Sequence, residues 1–239
     1  MFKIIIPCHG DKSENLETLI SSIDNQSISD EVEYFFLEDK IETKFKEKIL
    51  KYCSESNRRF FIENETKHRL YGIHNIYKFL SKLSAESIIG IMDCDDHLWG
   101  NDCIENIKSE YDNGSDCVWT ANELKGVGVN FSGPLVQNCD VYEHPWVSSH
   151  FKTFKLSDFK SIPINNFKDS DGEWFESCYD QALMLPLLHN VFKRGGKTKY
   201  IDKVHYIYNG TLNPDPESRY RKSQLENEYF IRSRGYVNE

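Results

Sequence analysis

Short β-branched runs alternate with longer amphipathic stretches through the first hundred residues, and this alternation leaves few folds open. Lys3 to Cys8 is a β-branched run closed by Pro7, Gly10 and Asp11, the pattern of a buried strand and its turn. Ser13 to Asn25 carries Leu16, Leu19, Ile20 and Ile23 at helical spacing. Val32 to Leu37 is a second apolar run, ended by Glu38-Asp39, and Phe45, Ile49, Leu50 and Cys53 mark a second helix. Arg59 to Ile62 reads as a third strand, with Ile73, Ile76, Tyr77, Leu80 and Leu83 forming the stripe of a third helix. Ser87 to Met92 is a fourth strand that runs straight into Asp93. Such alternation with short connections implies right-handed crossovers and a mostly parallel central sheet flanked by helices, an α/β fold. Ligands of these sheets gather beyond the carboxyl ends of the strands. Here those ends carry Pro7-Cys8-His9-Gly10, Glu38-Asp39, Glu63-Asn64 and Asp93 to Asp96, so one edge of the sheet is chemically distinct.

The pattern weakens from about residue 115. Cys117 to Thr120 reads as a strand, and Gly126, Gly128, Gly133 and Pro134 mark loops or hairpins. Phe175 to Val191 is a helix-forming stretch and Val204 to Tyr208 a late strand, followed by turns at Asn209-Gly210 and Asn213-Pro214-Asp215-Pro216. The charged residues Glu217 to Glu239 are expected to form a surface helix and tail. The chain is therefore expected to divide into residues 1–100, residues 101–216 as a smaller mixed region of the same domain, and residues 217–239.

The balance of 29 basic against 38 acidic residues, a net charge of -9, argues against nucleic acid as the main ligand, because a phosphate backbone needs clustered Lys and Arg. A polyanionic ligand would need a metal ion or a local basic patch. The seven cysteines form no C-x-x-C pair, and the apolar run at Phe2 to Pro7 is too short for a signal peptide, which reads as reduced thiols in a cytoplasmic setting. No stretch approaches the roughly 20 apolar residues that a membrane span needs.

Asp93, Asp95 and Asp96 follow a hydrophobic strand directly. Three carboxylates this close repel one another unless protons or a cation compensate. A hard ion such as Mg2+ or Mn2+ takes oxygen ligands and shares its sphere with substrate phosphates. It would then offset charge on a departing diphosphate. The plainer alternative is a solvated acidic turn capping the next helix. Placement after the fourth strand of a parallel sheet favours the ion.

Taken in order, Ile4-Ile5-Ile6-Pro7, Glu38-Asp39, Gly72 with Asn75, and Asp93-Cys94-Asp95-Asp96 resemble the family 2 type of glycosyltransferase, with the GT-A (nucleotide-diphospho-sugar transferase) fold. The likeness covers residues 2 to 100 well and the remainder loosely. It implies transfer of a sugar from a nucleotide-diphospho-sugar, most often a UDP-sugar, to a hydroxyl acceptor on a glycan, lipid or protein. By the same resemblance the first-strand loop with Pro7 and His9 holds the nucleoside, Asp39 accepts a hydrogen bond from the base, and Asn75 contributes to the substrate site. Asp93 and Asp95 meet ribose and the metal-diphosphate, with Asp96 a further metal candidate. Where the family carries Asp-Asp-Gly-Ser, this chain has Glu38-Asp39-Lys40-Ile41.

Inverting transfer needs a carboxylate to take the acceptor proton. In the family that acid stands near the start of a helix, and Asp180 in Cys178-Tyr179-Asp180-Gln181-Ala182 fits, the alternative being a simple helix cap. Asp169, Asp171 and Glu173 are rivals just upstream. Trp146 and Trp174 are candidate sugar-stacking faces, weighed against core packing. The segments His144-Pro145-Trp146 and Ser149 to Lys155 are candidate acceptor and diphosphate contacts, Arg69 a diphosphate or base contact, and His205 a further metal ligand. A sugar-phosphate nucleotidylyltransferase is disfavoured because the loop Cys8-His9-Gly10-Asp11-Lys12 has one glycine. A D-x-D phosphohydrolase would carry its acid after the first strand, and a non-catalytic nucleotide-sugar-binding module remains the alternative of a different class.

Overall fold

Ile4, Ile5 and Ile6 are completely buried, which requires cover on both faces of the strand that carries them. The computed structural model describes residues 1–66 and 69–239 and supplies that cover. Its elements in chain order are β1 (Phe2–Gly10), α1 (Leu16–Asp24), β2 (Val32–Ile41), α2 (Thr43–Ser54), β3 (Arg59–Ile62), α3 (Tyr71–Leu80), β4 (Ile88–Ile91) and β5 (His97–Leu98). They continue as α4 (Cys103–Asp112), β6 (Cys117–Leu124), β7 (Lys152–Lys155), α5 (Leu156–Lys160), α6 (Tyr179–Lys193), β8 (Thr198–Tyr208) and α7 (Arg219–Arg234). The strands form one sheet in the order β3-β2-β1-β4-β7-β6-β8-β5. Parallel pairing joins β1 to β2 and β4, β2 to β3, and β6 to β8, while β7 and β5 run against their neighbours.

Alternate residues of each strand enter opposite helical layers, as the two-residue period of a strand demands. Ile4, Ile6, Tyr34 and Phe36 pack with α1, α2 and α4 through Leu19, Ile23, Phe45, Ile49, Ile104 and Ile107. Ile5, Phe35 and Leu37 pack on the other face with Ile73 and Ile76 of α3, Phe159 of α5 and the apolar body of α6. Each such side chain contributes about 1.5–3 kcal/mol on burial. Helix α6 is buried along nearly its whole length, from Gln181 to Leu188, which suits a helix that is apolar all round.

The first four strands and three helices stand where the apolar runs predict them. Helix α4 and strand β7 were not among the expected elements. In α4, Cys103 and Tyr111 do the burying beside Ile104 and Ile107, and charged residues separate them. Strand β7 is made of Lys152, Thr153, Phe154 and Lys155, with Lys152 buried, so it lacks an apolar alternation. The late strand is longer than its apolar core and begins at Thr198.

An ion network ties β6, β7 and α6 together. Asp116 Oδ1 accepts from Lys155 Nζ at 2.7 Å and lies 3.0 Å from Arg194 Nη2, and its Oδ2 accepts from the Lys197 N–H at 2.9 Å. Arg194 also grips both oxygens of Asp158, at 2.7 and 2.8 Å. Burial pushes the Asp116 carboxyl up, but these donors outweigh it and leave its pKa below the ordinary value. The stabilisation is therefore complete above the ordinary carboxylate range and is lost as pH falls through the lowered pKa. Asp116→Asn is expected to cost about 1–3 kcal/mol at neutral pH. In urea unfolding series across pH, that deficit should shrink in acid, and a deficit that grows in acid would refute the assignment.

Candidate active site

A cleft of about 300 Å³ opens beyond the carboxyl ends of β1, β2, β4 and β8, closed on the far side by the starts of α3, α6 and α7. Its wall includes Pro7, His9, Asp39, Arg69, Asn75, Asp93 and Asp95, so seven of the residues singled out in the sequence meet in one place. Gly72 permits this convergence: a Cβ there would stand 3.1 Å from Cδ1 and Cγ of Tyr179, at the point where α3 meets α6.

Asp39 is held on both oxygens. Oδ1 accepts the Leu70 N–H at 2.7 Å, and Oδ2 lies 3.3 Å from Arg69 Nε. The Arg69 guanidinium in turn lies 4.8 Å over the Tyr71 ring. Asn75 donates to the Glu38 carbonyl at 3.0 Å and so fastens α3 to the end of β2. Backbone strain collects around these residues. Lys40 has φ 57°, at the position where the resembling family carries glycine, and Tyr71 and Cys178 have φ 58° and 61° immediately before Gly72 and Tyr179. Side chains pay for the left-handed region, and such outliers persist where the surroundings enforce them.

The acidic cluster separates into distinct roles. Asp96 is almost fully buried, and its two oxygens accept from the Tyr206 hydroxyl and the Asn209 N–H, each at 2.7 Å. The same Tyr206 hydroxyl accepts the Asp93 N–H at 3.1 Å. Asp93 Oδ1 receives the Tyr179 hydroxyl. Asp95 faces the cleft, where its Oδ2 takes the Lys12 ammonium at 2.6 Å. Burial raises the Asp93 carboxyl, with Asp95 and Asp180 adding to the effect, while the charge of Lys152 and the Tyr179 hydroxyl oppose it. Burial and the nearby Asp93 charge push Asp96 well up. Lys12 is held above the ordinary lysine value; burial works against that, and the bond and charge of Asp95 outweigh it. The His9 imidazole is lowered from its ordinary value by burial and by the charges of Arg69 and Lys12.

A divalent ion fits this chemistry. Asp93, Asp96 and His150 each place a ligand atom within 4.8 Å of the others, and the surrounding carboxylates are hard oxygen donors. The histidine of this set is His150, whose ring stacks on Tyr206 and Tyr208 at 4.9 and 4.8 Å. His205, expected as a metal ligand, is not at the cluster. It neighbours Tyr206 on β8, so strand alternation turns it to the opposite face, where Nε2 lies 3.0 Å from Asn106 Nδ2 and Nδ1 3.3 Å from the Trp99 carbonyl.

The two tryptophans also lie outside the cleft wall. Trp174 stacks on His74 at 4.3 Å and packs on Tyr77, and Trp146 packs partly buried on the core. Lys155 serves the Asp116 network. Lys152 is buried behind the cluster, donates to the Ser149 carbonyl at 3.1 Å and lies 5.4 Å from the Tyr179 ring centroid. Asp180 stands in the first turn of α6. The cap residue is Cys178, and no side-chain cap bond is made, so Asp180 is not tied up as a helix cap. It is not among the residues that line the cleft, whose wall takes its neighbour Tyr179, and its proximity helps to raise the Asp93 carboxyl. Tyr179, Tyr206, Tyr208, Asn209, Glu176 and Tyr220 were not singled out in the sequence, where tyrosines in apolar stretches carry no separate signal.

The fold has solved counterparts. Residues 1–349 of S. aureus TarS in complex with UDP-GlcNAc superpose with a TM-score of 0.69 at 16% identity, over 100% of this chain and 68% of that one. The same TarS segment in another crystal structure gives 0.66 at 17% identity, over 87% of this chain and 60% of that one. The mannosyltransferase PcManGT from Pyrobaculum calidifontis, in complex with GDP-Man and Mn2+, gives 0.64 at 14% identity, over 99% of this chain and 65% of its own. The chain thus spans about 60–68% of the length of these structures. No curated protein sequence matches it. Residues 3–175 match the profile of glycosyl transferase family 2, from the first strand to the last residues before the turn into α6. With that match over most of the chain and a GT-A sheet beneath the cleft, the chain belongs to glycosyl transferase family 2.

Proposed function

We propose that the chain transfers a sugar from a uridine-diphospho-sugar to a hydroxyl acceptor, with inversion at the anomeric carbon and with Mn2+ or Mg2+ bound by the Asp93–Asp96 cluster. The observation that carries the reading is the single cleft that joins Asp39 and Arg69 at one side to Asp93 and Asp95 at the other. The first pair suits a base and the second a metal-diphosphate. TarS bound to UDP-GlcNAc or UDP, and PcManGT bound to GDP-Man and Mn2+, show that this fold accepts such donors in those proteins.

Hydrogen-bond chemistry and the UDP-containing counterparts support a uracil base. A carboxylate only accepts, so Asp39 takes a base N–H, either the ring N–H of uracil or guanine or the exocyclic amino group that guanine, cytosine and adenine carry. Guanine offers two adjacent N–H groups and suits a carboxylate with both oxygens open. Asp39 Oδ1 is already engaged by the Leu70 N–H, which leaves Oδ2 beside a cationic donor, Arg69. Uracil, with one N–H flanked by carbonyls, matches an acceptor next to a donor; the amino edge of cytosine does so too, and the UDP-sugar and UDP complexes of TarS favour uracil. In a calorimetric panel of UDP, GDP, CDP and ADP with Mn2+, UDP is expected to bind tightest, and Asp39→Asn to weaken it about 10- to 100-fold. Equal affinity for CDP and UDP would refute the choice of uracil, and unchanged UDP binding by Asp39→Asn would refute the role of Asp39.

In the transfer itself the acceptor oxygen forms the new bond to the anomeric carbon as the bond to the diphosphate oxygen breaks. Asp180 takes the hydroxyl proton, and the nucleoside diphosphate leaves with the bonding electron pair. Asp93, Asp95 and Asp96 would hold a divalent ion there, and when bound it would supply charge compensation on that leaving group. Asp180 stands in the first turn of α6, where a helix N-terminus suits an acidic side chain. Tyr179, one residue earlier, fixes Asp93 through its hydroxyl, so the same helix start positions both ends of the reaction.

A further inference from the structure

Lys12 has no part in the transfer as described, yet its ammonium occupies the carboxylate that faces the donor. It reaches Asp95 Oδ2 at 2.6 Å from the loop between β1 and α1, with its side chain 32% exposed. Asp93 and Asp96 have other partners, as Tyr179 bonds the first, and Tyr206 and Asn209 bond the second. Asp95 has Lys12 as its ion-pair partner. A second ammonium, Lys152, is 99% withdrawn from solvent behind Asp93 and makes no ion pair of its own among the described residues. Counted formally, three carboxylates face two ammonium groups and leave one net negative charge. A divalent ion that takes Asp95 as a ligand without a donor turns that balance positive and must displace Lys12. A divalent ion entering with a sugar diphosphate restores the balance and gives the displaced ammonium an anion to meet.

We propose that Lys12 holds the cation position at Asp95 in the donor-free chain and turns to the diphosphate when metal and donor enter, so that metal and donor bind cooperatively. The inference rests on the donor reading above and adds a positioning residue to it. A lysine suits the exchange, being a compact charge on a flexible stem that keeps its charge in both places. Linkage requires the effect to be reciprocal: whatever factor UDP adds to metal affinity, metal adds to UDP affinity.

The test is Mn2+ binding followed by the electron paramagnetic resonance signal of free Mn2+, with and without UDP, for the full chain and for Lys12→Met and Lys12→Arg. For the unaltered chain, UDP is expected to tighten Mn2+ binding about tenfold or more. Lys12→Met is expected to bind Mn2+ alone about threefold or more tighter and to lose most of the UDP enhancement, while Lys12→Arg keeps both properties near the original. Unchanged or weaker Mn2+ binding by Lys12→Met, with the UDP enhancement intact, would overturn the role of Lys12 and leave the donor reading standing. Absence of UDP binding in every arm would overturn the donor reading, and the role of Lys12 with it.

Discussion

Asp95→Ala is expected to abolish sugar transfer while leaving the fold intact. Asp95 contributes little to the core: its side chain is 21% exposed, and its ion-pair partner, Lys12, is itself partly solvated. Removing it frees an ammonium that water can take up, so the thermal midpoint should move by no more than a few degrees, as for an exposed ion pair worth about 0–1 kcal/mol. The effect on chemistry is of another order. In the proposed function Asp95, which lines the cleft with Asp93, joins Asp93, Asp96 and His150 in holding a divalent ion against the donor's phosphates, and charge compensation on a leaving diphosphate is worth several kcal/mol. A loss of about 10³-fold or more in kcat/KM should follow, read as nucleoside diphosphate released from a panel of nucleotide-sugars at saturating Mn2+. Undiminished turnover in Asp95→Ala, insensitive to chelator, would remove the metal from the mechanism.

Asp180→Asn should separate binding from catalysis. The amide has the shape of the carboxylate but cannot take a proton, so a base substituted this way costs about 10²–10⁴-fold in kcat. Asp180 touches neither Asp39 nor Arg69, and it makes no cap bond whose loss would fray α6. UDP affinity in the presence of Mn2+ is therefore expected to stay within about twofold of the original. A variant that keeps its kcat would move the base to another acid, and Glu176, in the cleft wall, would be the next to replace. A variant that loses UDP binding together with turnover would make Asp180 a part of the donor site.

The sequence carried the first half of this site because chemistry there sits next to strong pattern. Buried parallel strands read as unbroken apolar runs, so β1, β2 and β4 announce their own ends, and Pro7, His9, Asp39, Asp93 and Asp95 stand at or just past those ends. The second half is written differently. Tyr206 and Tyr208 reach the cluster from β8, more than a hundred residues after Asp93, and a tyrosine within an apolar strand looks like core until its hydroxyl partner is known. His205 illustrates how little separates the two outcomes. One step along a strand reverses the face, so Tyr206 meets Asp96 while His205 meets Asn106. Trp146 and Trp174 drew attention as aromatic faces, yet burial against the core and the stack on His74 use those faces internally. Strand β7 was hidden for a related reason. Lys152 is a buried lysine whose burial makes sense only beside Asp93 and the Tyr179 ring, a relation between distant segments that no local pattern records.

Backbone strain was equally invisible in the sequence, and it points the same way. Of the four left-handed non-glycine residues among the described residues, Lys40, Tyr71 and Cys178 adjoin residues of the cleft wall, namely Asp39, Gly72 and Tyr179, while Asn138 does not.

The most direct measurement is the affinity of the unaltered chain for UDP by titration calorimetry, once with saturating Mn2+ and once with chelator, alongside Asp95→Ala. Binding with Mn2+ that weakens about tenfold or more in chelator, and that Asp95→Ala no longer links to metal, is the expected result. UDP affinity that is the same with metal, without metal and without Asp95 would contradict the metal-diphosphate site at the end of the fourth strand.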